Sequence, residues 1–171
     1  AAELLGHGGI PFRIITSDKN QGVYRQWLRG LQKTTGDLVW IAEADDDCSS
    51  RLLGTLVPAF ANLDVVLAYC QSTQMDETGE PIAPDYLGWT ADVDDAKWRQ
   101  PYVRRGTDEI RDSLAVKNTI PNASAVVMRK PDLSAIEPIL LGLRNAGDWL
   151  VYVHALERGA IAFVPEALNS H

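Results

Sequence analysis

A short apolar run, Leu38-Val39-Trp40-Ile41-Ala42, ends in Glu43-Ala44-Asp45-Asp46-Asp47, and no other feature constrains the chain as much. A run this short and this apolar, bounded by charge, predicts a buried strand. Four carboxylates at its end repel one another unless something positive sits among them. A divalent cation carrying a phosphorylated ligand is the natural counter-charge. In open α/β sheets, ligands bind just beyond the carboxyl ends of strands. The competing reading is an acidic turn that caps the next helix, because Asp47, Ser49 and Ser50 are all good N-cap residues.

The flanking pattern sets the fold class. Residues 12–16 read as a strand, 22–34 as an amphipathic helix, 50–62 as a second helix and 64–70 as another apolar strand. Strand and helix alternating in this way predict an α/β fold: a mostly parallel sheet with flanking helices. Residues 71–84 are polar, with Asp76-Glu77-Thr78-Gly79 as a hairpin turn. Residues 85–106 are irregular and rich in Trp, Tyr, Asp and Arg, and so long an aperiodic stretch inside a domain is functional or mobile. Order returns as a helix over 107–116, a strand over 123–128, helices over 131–143 and 148–158, and a last strand over 161–164.

A length of 171 residues suits one domain, 1–171. The net charge of −7 argues against a nucleic-acid partner, which calls for a basic face. Cys48 and Cys70 match no disulfide framework or zinc spacing and read as free thiols in a reducing cytoplasm. No apolar run is long enough to cross a bilayer, and no signal peptide is visible. Both ends read as cut from something longer, so membrane association through other segments stays open.

The order of several short motifs resembles family 2 glycosyltransferases of the GT-A (Rossmann-like nucleotide-diphospho-sugar transferase) type. Asn20-Gln21-Gly22, Gly30 and Gly36-Asp37 lead into the strand that ends at Asp45-Asp46-Asp47. Asn122 to Arg129 is similar to that family's acceptor-side strand, and Gly147-Asp148-Trp149 to its catalytic acid-pair region. Gly159 to Pro165 completes the order. The family's first strands, which cradle the nucleotide, have no counterpart, so the resemblance implies a domain truncated at its N-terminus, with the acceptor side over about 70–171. It also implies Mn²⁺ or Mg²⁺, a nucleotide-sugar donor (a UDP-sugar foremost) and a glycan or lipid-linked acceptor in polysaccharide or glycan synthesis. The family's Asp-x-Asp metal motif corresponds either to Glu43-Ala44-Asp45 or to Asp45-Asp46-Asp47.

Roles follow from the chemistry of glycosyl transfer. The diphosphate leaving group gathers negative charge, which a carboxylate-held cation stabilises. Asp45 and Asp47 are the candidate metal ligands, with Glu43 and Asp46 contacting metal or ribose and Asn20 touching the donor. Direct displacement, with inversion, needs a base for the acceptor hydroxyl. Asp148 is that candidate, although Asp is also a favoured helix cap. Gly147 stands where the family has the first acid of its pair. Trp149 offers an apolar wall, Asn122 and Ser124 an acceptor side, and His171 a late metal or phosphate ligand. Trp89, Trp98, Tyr86 and Tyr102 could stack on a sugar or anchor packing. The rival readings are a sugar nucleotidyltransferase and a non-catalytic nucleotide-sugar or glycan-binding module.

Overall fold

The computed structural model describes residues 12–171. Seven strands form one mixed sheet: β1 (Leu38–Trp40), β2 (Asp47–Cys48), β3 (Val65–Met75), β4 (Pro81–Ala83), β5 (Tyr102–Arg105), β6 (Val126–Arg129) and β7 (Ala160–Ser170). The main order is β1-β6-β3-β7-β2, with β4 beside β3 and β5 beside β7. Helices α1 (Val23–Lys33), α2 (Leu52–Leu56), α3 (Leu87–Thr90), α4 (Gly106–Glu109), α5 (Glu137–Gly142) and α6 (Gly147–Leu156) complete the α/β architecture.

The expected mostly parallel sheet is corrected in its pairing. Among the described residues, only β3 and β7 pair in parallel. β6 lies antiparallel to both β1 and β3, so it separates them while leaving them pointing the same way. The alternation therefore foretells the direction of β1, β3 and β7, but not the strand inserted between the first two. Residues 12–16 are corrected as well. They run as exposed coil, with Ile14 65% exposed, and pair with no strand among the described residues.

Alternation along each strand sends side chains to two cores. Leu67, Tyr69, Val126, Met128, Ile161 and Phe163 face one core, which α1 and α6 cover with Tyr24, Trp27, Leu28, Leu31, Val151, Tyr152 and Leu156. Val65, Ala68, Cys70, Val127 and Ala162 face the other, under Leu52, Leu56 and Phe60. The stripe of α1 is 24, 27, 28 and 31, the i, i+3, i+4, i+7 spacing of a buried helix face.

Several expected elements change length for identifiable reasons. The helix over 50–62 is α only to Leu56 and continues as a 3₁₀ turn, Val57–Ala61. Pro58 lacks the N–H that the α ladder needs there. The helix over 131–143 is shortened to α5, with Pro138 in its first turn. The helix over 107–116 is α4 followed by one π turn, Ile110–Leu114. The hairpin turn is found where expected: Asp76 Oδ1 accepts from Thr78 N–H at 2.8 Å and from Glu80 N–H at 3.0 Å, and Gly79 takes φ 84°. The Thr78 hydroxyl, which also donates to Oδ1 at 2.7 Å, and then these two N–H groups hold the Asp76 carboxyl below its usual range.

The irregular middle is ordered by a buried charge. Glu109 is fully buried and accepts from Lys97 Nζ, with Arg104 at 3.4 Å. Trp98, 2% exposed, donates its indole N–H to Tyr69 Oη at 2.7 Å. Trp98 and Tyr102 are thus packing anchors, not exposed stacking surfaces. Burial outweighs Glu109 and pulls the Lys97 ammonium below its ordinary pKa. Among the described residues, no helix is long and apolar enough to cross a membrane.

Candidate active site

Because β1, β3 and β7 point the same way, their carboxyl ends gather at one edge of the sheet. The acidic loop follows β1, the 76–79 hairpin follows β3, and His171 follows β7. Asp45, Asp46, Asp76, Thr78, Tyr86 and His171 are among the residues lining an open cavity of about 610 Å³ at this edge.

Buried polar residues pin the acidic loop at both ends. Glu43 N–H donates to Ser124 Oγ at 2.8 Å, and the Trp40 indole N–H donates to the Ser124 carbonyl at 2.7 Å. At the other end, Asn169 Nδ2 donates to the Asp47 carbonyl at 2.9 Å. Asn169 Oδ1 in turn accepts from Asn122 Nδ2 and from Ser72 Oγ, each at 2.8 Å. Asn122 also caps the 3₁₀ turn Ala123–Ala125 by accepting from Ala125 N–H. Asn122 and Ser124, expected on the acceptor side, are therefore buried and spent on scaffold bonds. They position the loop.

The acids are not equivalent. Asp45 and Asp47 are exposed. Asp47 Oδ1 accepts from its neighbour's N–H, Cys48, at 2.7 Å. The Asp46 side chain is only 3% exposed. Its Oδ1 lies 2.8 Å from His171 Nδ1, and its Oδ2 is buried with no hydrogen-bond partner among the described residues. Burial first, then the charges of Asp46, Asp45 and Asp148, push the Glu43 carboxyl up, with His171 opposing. Glu43, Asp45, Asp46, Asp148 and His171 thus share one electrostatic field, although Asp148 lies more than a hundred residues along the chain. Asn20 is not drawn in through its side-chain oxygen, which accepts from Gly22 N–H at 2.9 Å in a local turn.

Glu43 carries a sign that can be measured. Its folded pKa lies above the ordinary 4.5, so in the window between the two values the native state holds more protons than the unfolded chain. Stability then falls as pH rises through that window, and the ionised carboxylate is a cost above it. Glu43→Gln is expected to raise the Tm at neutral pH in the presence of chelator, with the gain vanishing below about pH 4, where both side chains are neutral. Thermal melts across pH check this; a gain that persists in acid would show another cause.

Asp148 opens α6. Asn118 Nδ2 donates to its Oδ2 at 3.1 Å. Gly147 N–H donates to Tyr24 Oη at 2.7 Å. The preceding Ala146 sits in the left-handed region at φ 61°. One turn further, the Tyr152 hydroxyl is fully buried without a partner among the described residues, and burial followed by the charges of Asp148 and Glu43 raises its pKa. Trp149 is half-buried against the main core. The sequence did carry a signal for Tyr24, since 24, 27, 28 and 31 form the stripe of α1. It carried none for Asn118, Ser72 or Asn169, whose partners are remote in the chain.

Among the described residues, no three His, Cys, Asp or Glu side chains converge as a ready-made metal cage. Mg²⁺ and Mn²⁺ need less, because they bind through one or two carboxylates and complete their shells with water and phosphate oxygens. The orphaned Asp46 Oδ2 and the exposed Asp45 carboxylate are hard oxygen donors that fit such an ion.

The sequence matches Glycosyl transferase family 2 over residues 1–131, and the chain belongs to that family. No curated protein matches it.

Proposed function

We propose that the domain transfers a sugar, with inversion, from a nucleoside-diphosphate sugar to an acceptor hydroxyl in glycan or polysaccharide synthesis, with residues from about 70 onward forming the acceptor side. The observation that supports this best is the acidic loop at the carboxyl end of β1, where Asp46 Oδ2 is buried without a partner among the described residues and Asp45 and Asp46 line a cavity at the sheet edge where α/β folds bind ligands; Asp148 is near enough for its charge to help push the Glu43 carboxyl up. Asp148 accepts the acceptor's hydroxyl proton as that oxygen bonds to the anomeric carbon, the bond to the phosphate oxygen breaks, and the diphosphate leaves with its electron pair. Asn118 holds Oδ2 of Asp148 and leaves the other oxygen for the proton. Asp45 and Asp46 would hold Mn²⁺ or Mg²⁺, which when bound supplies charge stabilisation to the departing diphosphate. Glu43 and Asp47 flank them, and His171, on Asp46, would steady that carboxylate.

Nucleotide release from uridine- and guanosine-linked sugars, with Mn²⁺, Mg²⁺ or chelator, tests the reading. Turnover is expected with a cation, lost with chelator and lost in Asp46→Asn. Donor binding without turnover on any sugar would instead favour a binding module, and release of pyrophosphate from a nucleoside triphosphate and a sugar phosphate would favour nucleotidyl transfer.

A further inference from the structure

The irregular middle presents one aromatic ring to solvent in a fixed pose. Of the five Trp residues, Trp89 alone is exposed, at 51%. It sits on α3, and its indole N–H donates to the Asn118 carbonyl at 2.9 Å. The Lys117 ammonium lies 4.1 Å from its ring centroid. Lys117 is itself locked, donating to the Trp89 carbonyl at 2.8 Å and to both Asp92 oxygens at 2.8 and 2.9 Å. One face of the ring is thus covered and its polar edge satisfied. The residue as a whole stays 51% exposed, which leaves ring surface open to a ligand on the side away from Lys117.

An exposed indole held on two sides has already lost the freedom that binding would otherwise cost. The same dipeptide that holds it also serves the candidate base: Asn118 binds Trp89 through its main chain and Asp148 through its side chain. The open face and the carboxylate are therefore joined by a single residue. A pyranose ring has an apolar C–H face that stacks on an aromatic plane and hydroxyls at its rim. A sugar stacked on Trp89 would lie beside Asn118, the residue that also holds the Asp148 carboxylate.

The geometry points to Trp89 as the platform for a sugar ring of the acceptor, with Lys117 and Asn118 as the residues that position it. This rests on the transferase reading and commits the acceptor to a carbohydrate. Trp89 governs acceptor binding, while the acids at the end of β1 govern the donor.

The test combines binding and kinetics. In protein labelled with ¹⁵N at Trp, the Trp89 indole signal is assigned by its loss in Trp89→Phe. The protein is titrated with methyl glycosides and disaccharides of glucose, galactose, mannose and N-acetylglucosamine. The Trp89 signal is expected to shift saturably with at least one sugar, ahead of the other indole signals. With that sugar as acceptor, Trp89→Ala raises its KM about tenfold or more, a loss of about 1.4 kcal/mol, with the donor KM within about twofold. Trp89→Tyr, which keeps an aromatic face, recovers part of the loss and guards against a folding artefact. No sugar shifting the Trp89 signal, or an unchanged acceptor KM in Trp89→Ala, overturns the platform. Wild-type protein that neither hydrolyses nor transfers from any donor overturns the transferase reading itself, whereas donor hydrolysis with a silent Trp89 overturns the platform alone.

Discussion

Asp148→Asn is expected to lower sugar transfer by about 10²- to 10⁴-fold, the range for loss of a positioned general base. The substitution removes the proton acceptor and little else. An Asn side chain has the same shape, and its amide oxygen can still accept from Asn118 Nδ2, as Asp148 Oδ2 does at 3.1 Å. The N-terminal turn of α6 keeps its bond from Gly147 N–H to Tyr24 Oη. The loss should therefore fall on kcat, with the donor KM and the Tm close to wild type. Asn118→Ala is expected to cost less, because it frees the carboxylate to rotate without removing it. Steady-state kinetics at saturating donor settle the point. Retention of more than about a tenth of wild-type kcat in Asp148→Asn would move the base to another residue.

What could be read from the sequence depended on how far apart the interacting residues lie. The acidic loop was legible because its charge is local and follows a visibly apolar strand. The hairpin at 76–79 was legible because Asp76 and Gly79 do their work within four residues. The directions of β1, β3 and β7 were legible from the alternation with helices, but the antiparallel insertion of β6 was not, since its partners are remote and its own pattern says only that it is buried. Asn122 and Ser124 show the limit for sites. A polar residue in sequence looks available for a ligand, and only the fold reveals that Ser72, Asn169 and the Glu43 N–H have taken its hydrogen bonds. The aromatic residues of the irregular middle behave alike: composition offered Trp89 and Trp98 on equal terms, and packing buried one and exposed the other.

Gly147→Ala is expected to destabilise the protein by about 1–3 kcal/mol, as overpacking does in a filled core, and to lower the Tm by about 2–4 °C for each kcal/mol in a domain of this size. A Cβ at position 147 would meet the Tyr24 ring, with Cε1 at 2.6 Å and Cε2 at 2.7 Å. Tyr24 is 8% exposed and lies edge-on to Trp27 at 5.7 Å, so it has little room to retreat. This contact accounts for glycine where the family resemblance implies an acid. A carboxylate there would need the space of the Tyr24 ring and would add charge beside Asp148. Relief has to come from the ring. In Gly147→Ala, adding Tyr24→Ala should cost less than the sum of the two single changes, a coupling of about 0.5–3 kcal/mol between touching residues. Tyr24→Phe should behave differently, leaving the clash in place while stranding the Gly147 N–H, at about 1–3 kcal/mol for a buried donor without a partner. Activity should fall with stability in Gly147→Ala, because a displaced first turn of α6 carries Asp148 with it, and a shift of about 1 Å costs on the order of 10²-fold. Urea melts of the four variants, with kcat measured on each, decide between the outcomes. Strict additivity of Gly147→Ala and Tyr24→Ala would mean that the ring does not wedge the helix start, and the placement of Asp148 would then have to rest on Asn118 alone.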